Sequence, residues 1–179
     1  MMGACYRFNP IIQKLKELIE SGAIGKIYYS NICFGHYLPD WHKDSDYTKE
    51  YSARASLGGG ALLTTGSHVI DLARFLFGEV LDHKFYVDKV SNLEIDVDDL
   101  VTGTLKTKSG IFVNCVLDFL HKPKTSEVSI VGEMGKITCN LLKEEIIIYD
   151  NIGKTTLSFA NSIEQMYKNE IKYFCKLVE

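Results

Sequence analysis

Residues 57–71, LGGGALLTTGSHVID, hold the side chains best suited to chemistry. His68 carries an imidazole, a group that can give, take or hold a proton. On a helix starting at Ala61, Thr64, His68 and Asp71 stand at i, i+4 and i+7, along one face. A carboxylate at that distance would orient the imidazole and raise its pKa. The competing reading is a helix-face histidine satisfied by ordinary hydrogen bonds. Gly58, Gly59 and Gly60 lack the G-x-G-x-x-G spacing of a dinucleotide loop. They read instead as a place where the backbone takes positive φ or comes close to another group. Gly59 and Gly60 also open a helix, whose first amides are available to a ligand. No P-loop, nucleophile elbow or Ser-His-Asp order is present.

A second cluster lies in residues 40–46, DWHKDSD. Asp40, His42, Asp44 and Asp46 alternate as metal ligands sometimes do. An EF-hand loop needs Gly at its sixth position and Glu at its twelfth, where this chain has Ser45 and Tyr51. Zinc would need a closing ligand pair that the sequence does not supply, so no metal is expected. Two readings stay open. In one, Trp41, Tyr47 and Tyr51 stack on a sugar ring while Asp40, His42 and Asp46 take its hydroxyls. In the other, a solvated loop is anchored by Trp41. Arg7, in CYRFNP, is either a surface ion-pair partner or a guanidinium set against ligand oxygens.

The elements that must position these residues follow from periodicity. Residues 9–21 read as a helix capped by Asn9, with Pro10 in its first turn and Gly22 at its end. Residues 24–38 are β-branched and aromatic, a strand. A long polar and aromatic loop, 39–57, leads to a densely apolar helix over 61–77 that Gly78 stops. From residue 81 on, seven short strand-like runs follow, with a hairpin turn at Lys108-Ser109-Gly110. A last helix starts at Ser162 as its cap, with Glu164 in the first turn. The pattern is an α+β fold, one mostly antiparallel sheet with helices on one face.

Bulk composition narrows the function. The chain has 179 residues, a formal net charge of −3 and 46% hydrophobic residues. That is enough apolar material for a core and gives no electrostatic case for nucleic acid or an anionic membrane. No run approaches the ~20 apolar residues of a membrane span. The N-terminus carries no signal-peptide pattern. Five scattered cysteines read as reduced, mostly buried thiols of a cytoplasmic protein. One domain, 1–179, is the expectation. Both ends break into packed-looking segments, so the chain reads as a fragment of a longer protein.

The order of YRFNP, ELIESGAIGKIYY, LPDWHKDSDY and YSARASLGGGALLTTGSHVIDLARFLFGEV resembles the glucose-fructose oxidoreductase/inositol dehydrogenase (Gfo/Idh/MocA) family, and within it bacterial members acting on sugars or nucleotide-sugar precursors. The resemblance runs over nearly the whole chain. It implies a C-terminal α+β domain with a large open sheet, one that binds substrate, covers the nicotinamide and builds the oligomer. The N-terminal Rossmann domain that binds NAD or NADP, and the Glu-Lys-Pro segment with the family's catalytic lysine, have no counterpart here. No tight dinucleotide binding is therefore expected of this chain. In the family, the histidine matching His68 contacts the reacting carbinol. Many members carry an aspartate where this chain has Thr64. A threonine cannot serve as a carboxylate base, but it can hydrogen-bond a substrate hydroxyl. The resemblance further places Arg7 and Tyr6 near the substrate pocket and Gly59 and Gly60 near the nicotinamide; Asp71 matches the family's aspartate after the histidine, either a substrate-binding residue or a structural one. With Trp41 and Tyr47 positioning the ring, the implied activity is hydride transfer to or from a sugar, nucleotide sugar or cyclitol. A non-catalytic sugar-binding or assembly module is the alternative. A homo-oligomer is expected through the uncovered sheet face, where IFVNCVLDFL and EVSIVG present apolar residues.

Overall fold

Asparagine and glycine bracket the first helix, α1 (Pro10–Glu20). The Asn9 side chain accepts a hydrogen bond from the Ile11 amide at 2.9 Å, and Pro10 fills the first position without wasting a donor. Gly22, at φ 69°, turns the chain back, and the Gly22 and Ala23 amides close onto the Ile19 and Leu18 carbonyls at 3.1 Å. Ile11, Ile12 and Leu15 face inward with no exposed surface.

The computed structural model describes residues 3–42 and 44–178. Met1, Met2, Lys43 of the aromatic loop and Glu179 lie outside them. After α1 come β1 (Ile27–Gly35), a run of short 3-10 turns through the aromatic loop, and α2 (Ser67–Phe77). Then follow β2 (Val80–Asp88), β3 (Leu100–Thr107), β4 (Phe112–Asp118), β5 (Thr125–Gly132), β6 (Gly135–Asn140), β7 (Glu145–Asp150), β8 (Lys154–Ser158) and α3 (Ser162–Val178). The strands form one open sheet in the order β2-β3-β4-β1-β5-β6-β7-β8. β1 runs parallel to β4, and every other pair is antiparallel. The fold is thus α+β with a mostly antiparallel open sheet.

Strand alternation builds the core on one face. Ile32, Phe34, Val113, Cys115, Leu117, Val128 and Ile130 turn inward and meet Val69, Leu72, Ala73 and Leu76 of α2. The opposite face carries Thr104, Asn114, Asn31 and Ser129 in register, joined into a hydrogen-bonded polar row at 2.9, 3.0 and 3.3 Å. A neighbouring row on that face sets Phe112, Tyr29, Val131 and Tyr149 among lysines.

Two local expectations need correction. Ser162 is the first residue of α3, not its cap. Glu144 does the capping from the turn between β6 and β7. Its Oε1 accepts from the Ser162 amide and hydroxyl, each at 2.6 Å, and its Oε2 from the Asn161 amide at 3.2 Å. Those donors, the Ser162 hydroxyl first, hold the Glu144 carboxyl below the usual range. The helix expected over 61–77 is continuous, but its first half, Leu62–Gly66, is a π-helical turn. A π turn changes the phase of the face and is frequent beside functional sites.

Candidate active site

The glycine turn is held by the chain itself. A side chain at Gly59 would run into the Tyr51 and Ser52 carbonyls, and one at Gly60 into the Asp98 carboxylate. Gly60 also takes φ 105°, which favours glycine. Asp98 caps the helix that follows: its Oδ2 accepts from the Leu62 amide at 2.8 Å and its carbonyl from the Ala61 amide at 3.0 Å. The Gly60 amide reaches the Ser52 carbonyl at 3.0 Å. The Gly59, Gly60, Ala61 and Leu62 amides, expected to greet a ligand, are spent on Arg54, Ser52 and Asp98.

That turn aims the start of the helix into a cleft of about 270 Å³ between α2 and the ends of β1 and β5. Thr64, Thr65 and His68 line it from the helix, and Tyr6, Phe34 and Trp41 from the other walls. The His68 ring meets the Tyr6 ring edge-on at 5.6 Å, and Tyr6 packs likewise against Phe34 at 5.4 Å. Burial pushes the Tyr6 phenol up to about 12, so it stays a neutral hydroxyl through the physiological range. Thr64 donates its hydroxyl proton to the Gly60 carbonyl at 2.7 Å. Its oxygen then has lone pairs to offer a ligand hydroxyl.

Asp71 does not serve His68. Its carboxylate is held in a two-point pair by Arg7, Nε to Oδ2 at 2.8 Å and the terminal nitrogen to Oδ1 at 2.6 Å. The guanidinium also lies over the Phe75 ring at 5.6 Å. Arg7 and Asp71 border a separate depression with Arg74 and Tyr173, outside the cleft. Their pair ties the 3-10 turn Cys5–Phe8 to α2, and that turn carries Tyr6 to His68.

The aromatic loop divides. Trp41 donates from Nε1 to the His36 carbonyl at 3.0 Å, packs edge-on against Phe119 at 5.2 Å and still forms a cleft wall. Tyr51 also lines the cleft. Tyr47 is placed elsewhere: its ring packs on the core and its hydroxyl accepts from the Glu94 amide at 3.3 Å. Asp46 caps Thr48 and pairs with Lys49 at 3.0 Å; Asp40 and His42 are exposed and do not line the cleft, though the Asp40 charge bears on His36. Among the described residues, no trio of His, Cys, Asp or Glu is grouped to hold a metal ion.

Among the cleft residues not singled out from sequence, three are ionisable: His36, Asp118 and Lys124. His36 stacks on Trp41 at 5.9 Å, and burial, then the nearby Lys124, holds its imidazole below its usual pKa. Asp118, 4% exposed, accepts from the Leu120 and His121 amides at 2.8 and 2.9 Å and meets His121 Nδ1 at 2.6 Å. His36 directly follows β1 and Lys124 directly precedes β5, so the pairing of Gly35 with Thr125 is the signal that could have found the first and last of these.

The geometry has counterparts in known proteins. A sequence model of the GFO/IDH/MocA C-terminal domain matches residues 12–138. Glucose-fructose oxidoreductase domain-containing protein 1 of Mus musculus is 28% identical over 149 residues, 76% of this chain and 36% of that protein. Myo-inositol 2-dehydrogenase of Thermotoga maritima is 26% identical over 186 residues, 97% of this chain and 52% of that protein. The fold superposes on a levoglucosan dehydrogenase solved in complex with NADH, at a TM-score of 0.76 and 24% identity, over 89% of this chain and 46% of that one. The chain thus spans about half or less of the proteins it matches. With the family description covering most of its length and the same open sheet beneath it, this chain belongs to the GFO/IDH/MocA C-terminal domain family.

Proposed function

We propose that this domain is the substrate-binding half of an NAD(P)-dependent oxidoreductase acting on a carbinol of a sugar, nucleotide sugar or cyclitol. The observation that carries the proposal is the meeting of His68, Thr64, Tyr6 and Trp41 in one cleft. An aromatic wall beside converging hydroxyl and imidazole groups suits a polyhydroxylated ring. The glycine turn is a poor dinucleotide cradle, because the Gly58, Gly59 and Gly60 amides are taken by the Ala55, Arg54 and Ser52 carbonyls, and those of Ala61 and Leu62 by Asp98. The nucleotide would be held by a second domain, and the nicotinamide would supply the hydride chemistry. This chain's part is to orient the ring and handle the proton. Thr64 accepts from a substrate hydroxyl, its own proton being committed to Gly60. Tyr6 remains a neutral donor beside His68. His68 holds, gives or takes the proton of the reacting hydroxyl. The Arg7–Asp71 pair acts at one remove, fixing the turn that carries Tyr6.

The test is turnover by the full-length gene product with NAD or NADP and a panel of sugars, nucleotide sugars and inositols, read as the absorbance of reduced nicotinamide. His68→Ala is expected to lower kcat/KM by about 10²–10⁴-fold, the usual weight of a general acid-base group. Turnover that survives the substitution would return His68 to a packing role.

The same reading includes a homo-oligomer. On the face away from α1 and α2, Tyr29, Phe112 and Tyr149 are 40%, 47% and 41% exposed in one register row. A second copy laid on that face would cover them.

A further inference from the structure

We infer that the ligand of this cleft carries a carboxylate, received by Lys124 and His36 from the strand side while His68 works from the helix side. The inference rests on the sugar-binding reading above and narrows it to sugar acids. It starts from register. Phe34 pairs with Ser126 and Gly35 with Thr125 across β1 and β5. The ladder ends there, with His36 following β1 directly and Lys124 preceding β5 directly. Both line the cleft beside Phe34 and Ser126, and the Lys124 charge bears on the His36 ring.

The charge inventory of the cleft points the same way. Its lining holds one carboxylate, Asp118, which is already committed to two amides and the His121 ring. Among the described residues, no carboxylate lies within ion-pairing distance of Lys124. The neighbouring Lys122 is engaged differently, its ammonium sitting 3.2 Å over the Tyr37 ring. Lys124 is therefore the cation left to meet a ligand, with the His36 imidazole beside it as a hydrogen-bond partner. Trp41, stacked on His36, would press against the ring whose carboxylate they hold. Thr64, Thr65 and Ser126 supply hydroxyls around that ring. A cleft of about 270 Å³ suits a single hexose-sized unit.

Trp41 is the chain's single tryptophan, so its fluorescence reports the cleft directly. The 179-residue chain would be titrated with D-glucuronate and with D-glucose, two rings that differ in the carboxylate. Glucuronate is expected to bind at least ~10-fold more tightly, the tenfold worth about 1.4 kcal/mol. Lys124→Met should shrink that ratio to about 3-fold or less, Lys124→Arg should keep it, and Lys122→Met should leave it unchanged. Lys124 is exposed, and an unchanged thermal midpoint would show that each variant is folded. Equal affinity for the two sugars, or preference surviving Lys124→Met, would overturn the carboxylate and leave the sugar site standing. Silence toward both would overturn the carboxylate and the sugar site together.

Discussion

A valine at position 64 keeps the shape of threonine and removes its oxygen. The loss deletes the bond to the Gly60 carbonyl and the lone pairs offered to a ligand hydroxyl. Each neutral hydrogen bond is worth about 0.5–1.5 kcal/mol. Thr64→Val is therefore expected to lower kcat/KM by about 2- to 12-fold in the full-length protein, and Thr64→Ser to restore most of it. Asp71 tests a different idea. Its pair with Arg7 is 19% and 39% exposed, so solvent screens it, and Asp71→Asn should cost roughly 1 kcal/mol or less in urea unfolding. A change of several kcal/mol would mean the pair anchors more than the Cys5–Phe8 turn. At this scale the sequence was half legible. Thr64 and His68 line one cleft from a single continuous helix, and local periodicity told that much even though a π turn shifts the phase at Thr64. Arg7 and Asp71 lie 64 positions apart, and no local pattern says that they find each other before either finds a ligand. His36 and Lys124 were hidden for the same reason, since only the pairing of β1 with β5 brings them together.

Elements show what the glycines and acids are for. Gly60→Ala would force a Cβ into a left-handed residue and into the Asp98 carboxylate that caps the next turn. We expect a loss of more than ~1 kcal/mol, seen as a lower urea midpoint with unchanged slope. The three glycines announced a close approach. That the approach is to Asp98 and to the Tyr51 and Ser52 carbonyls, and not to a bound molecule, depends on a loop 36 residues downstream for its main partner. The π turn was equally hidden, because the helix pattern reads the same on either side of one extra residue. Glu144 gives the pH dependence. Its carboxyl is held low by the donors of α3, so its contribution is fully present above the ordinary carboxylate range. It is lost as the pH falls through the lowered folded value. Thermal midpoints followed from neutral to acid pH should drop along that limb, and Glu144→Gln should start lower at neutrality and flatten it.

Over the whole molecule, one face of the sheet is sealed and the other is not. Leu72, fully buried between α2 and the strands, is expected to cost about 2–5 kcal/mol when cut to alanine, measured in denaturant. The exposed row of Tyr29, Phe112 and Tyr149 predicts association instead. Light scattering at micromolar concentration should report an oligomer, and Tyr29→Glu with Phe112→Glu should dissociate it without lowering helix content. A monodisperse monomer of the unaltered chain would leave that face without the partner proposed for it. The α+β class and the helix-covered face were legible, since seven short strand-like runs in succession between helices leave few other folds. The central seat of β1 was not, because strand order is a matter of which distant edges fit.

That central seat also sets a schedule. Asn31 of β1 meets Asn114 of β4 across 83 positions, and its other neighbour, β5, comes later still. On a translating ribosome adding about 5–20 residues each second, β1 waits on the order of 4–17 s for its first partner. Through that interval both of its edges are bare, the condition in which strands join other chains. Ser30 and Asn31 interrupt its apolar run at the middle, where pairing with a stranger would otherwise begin. Asn31, which ends as one rung of the polar ladder across the finished sheet, would thus first blunt the edge of an unfinished one.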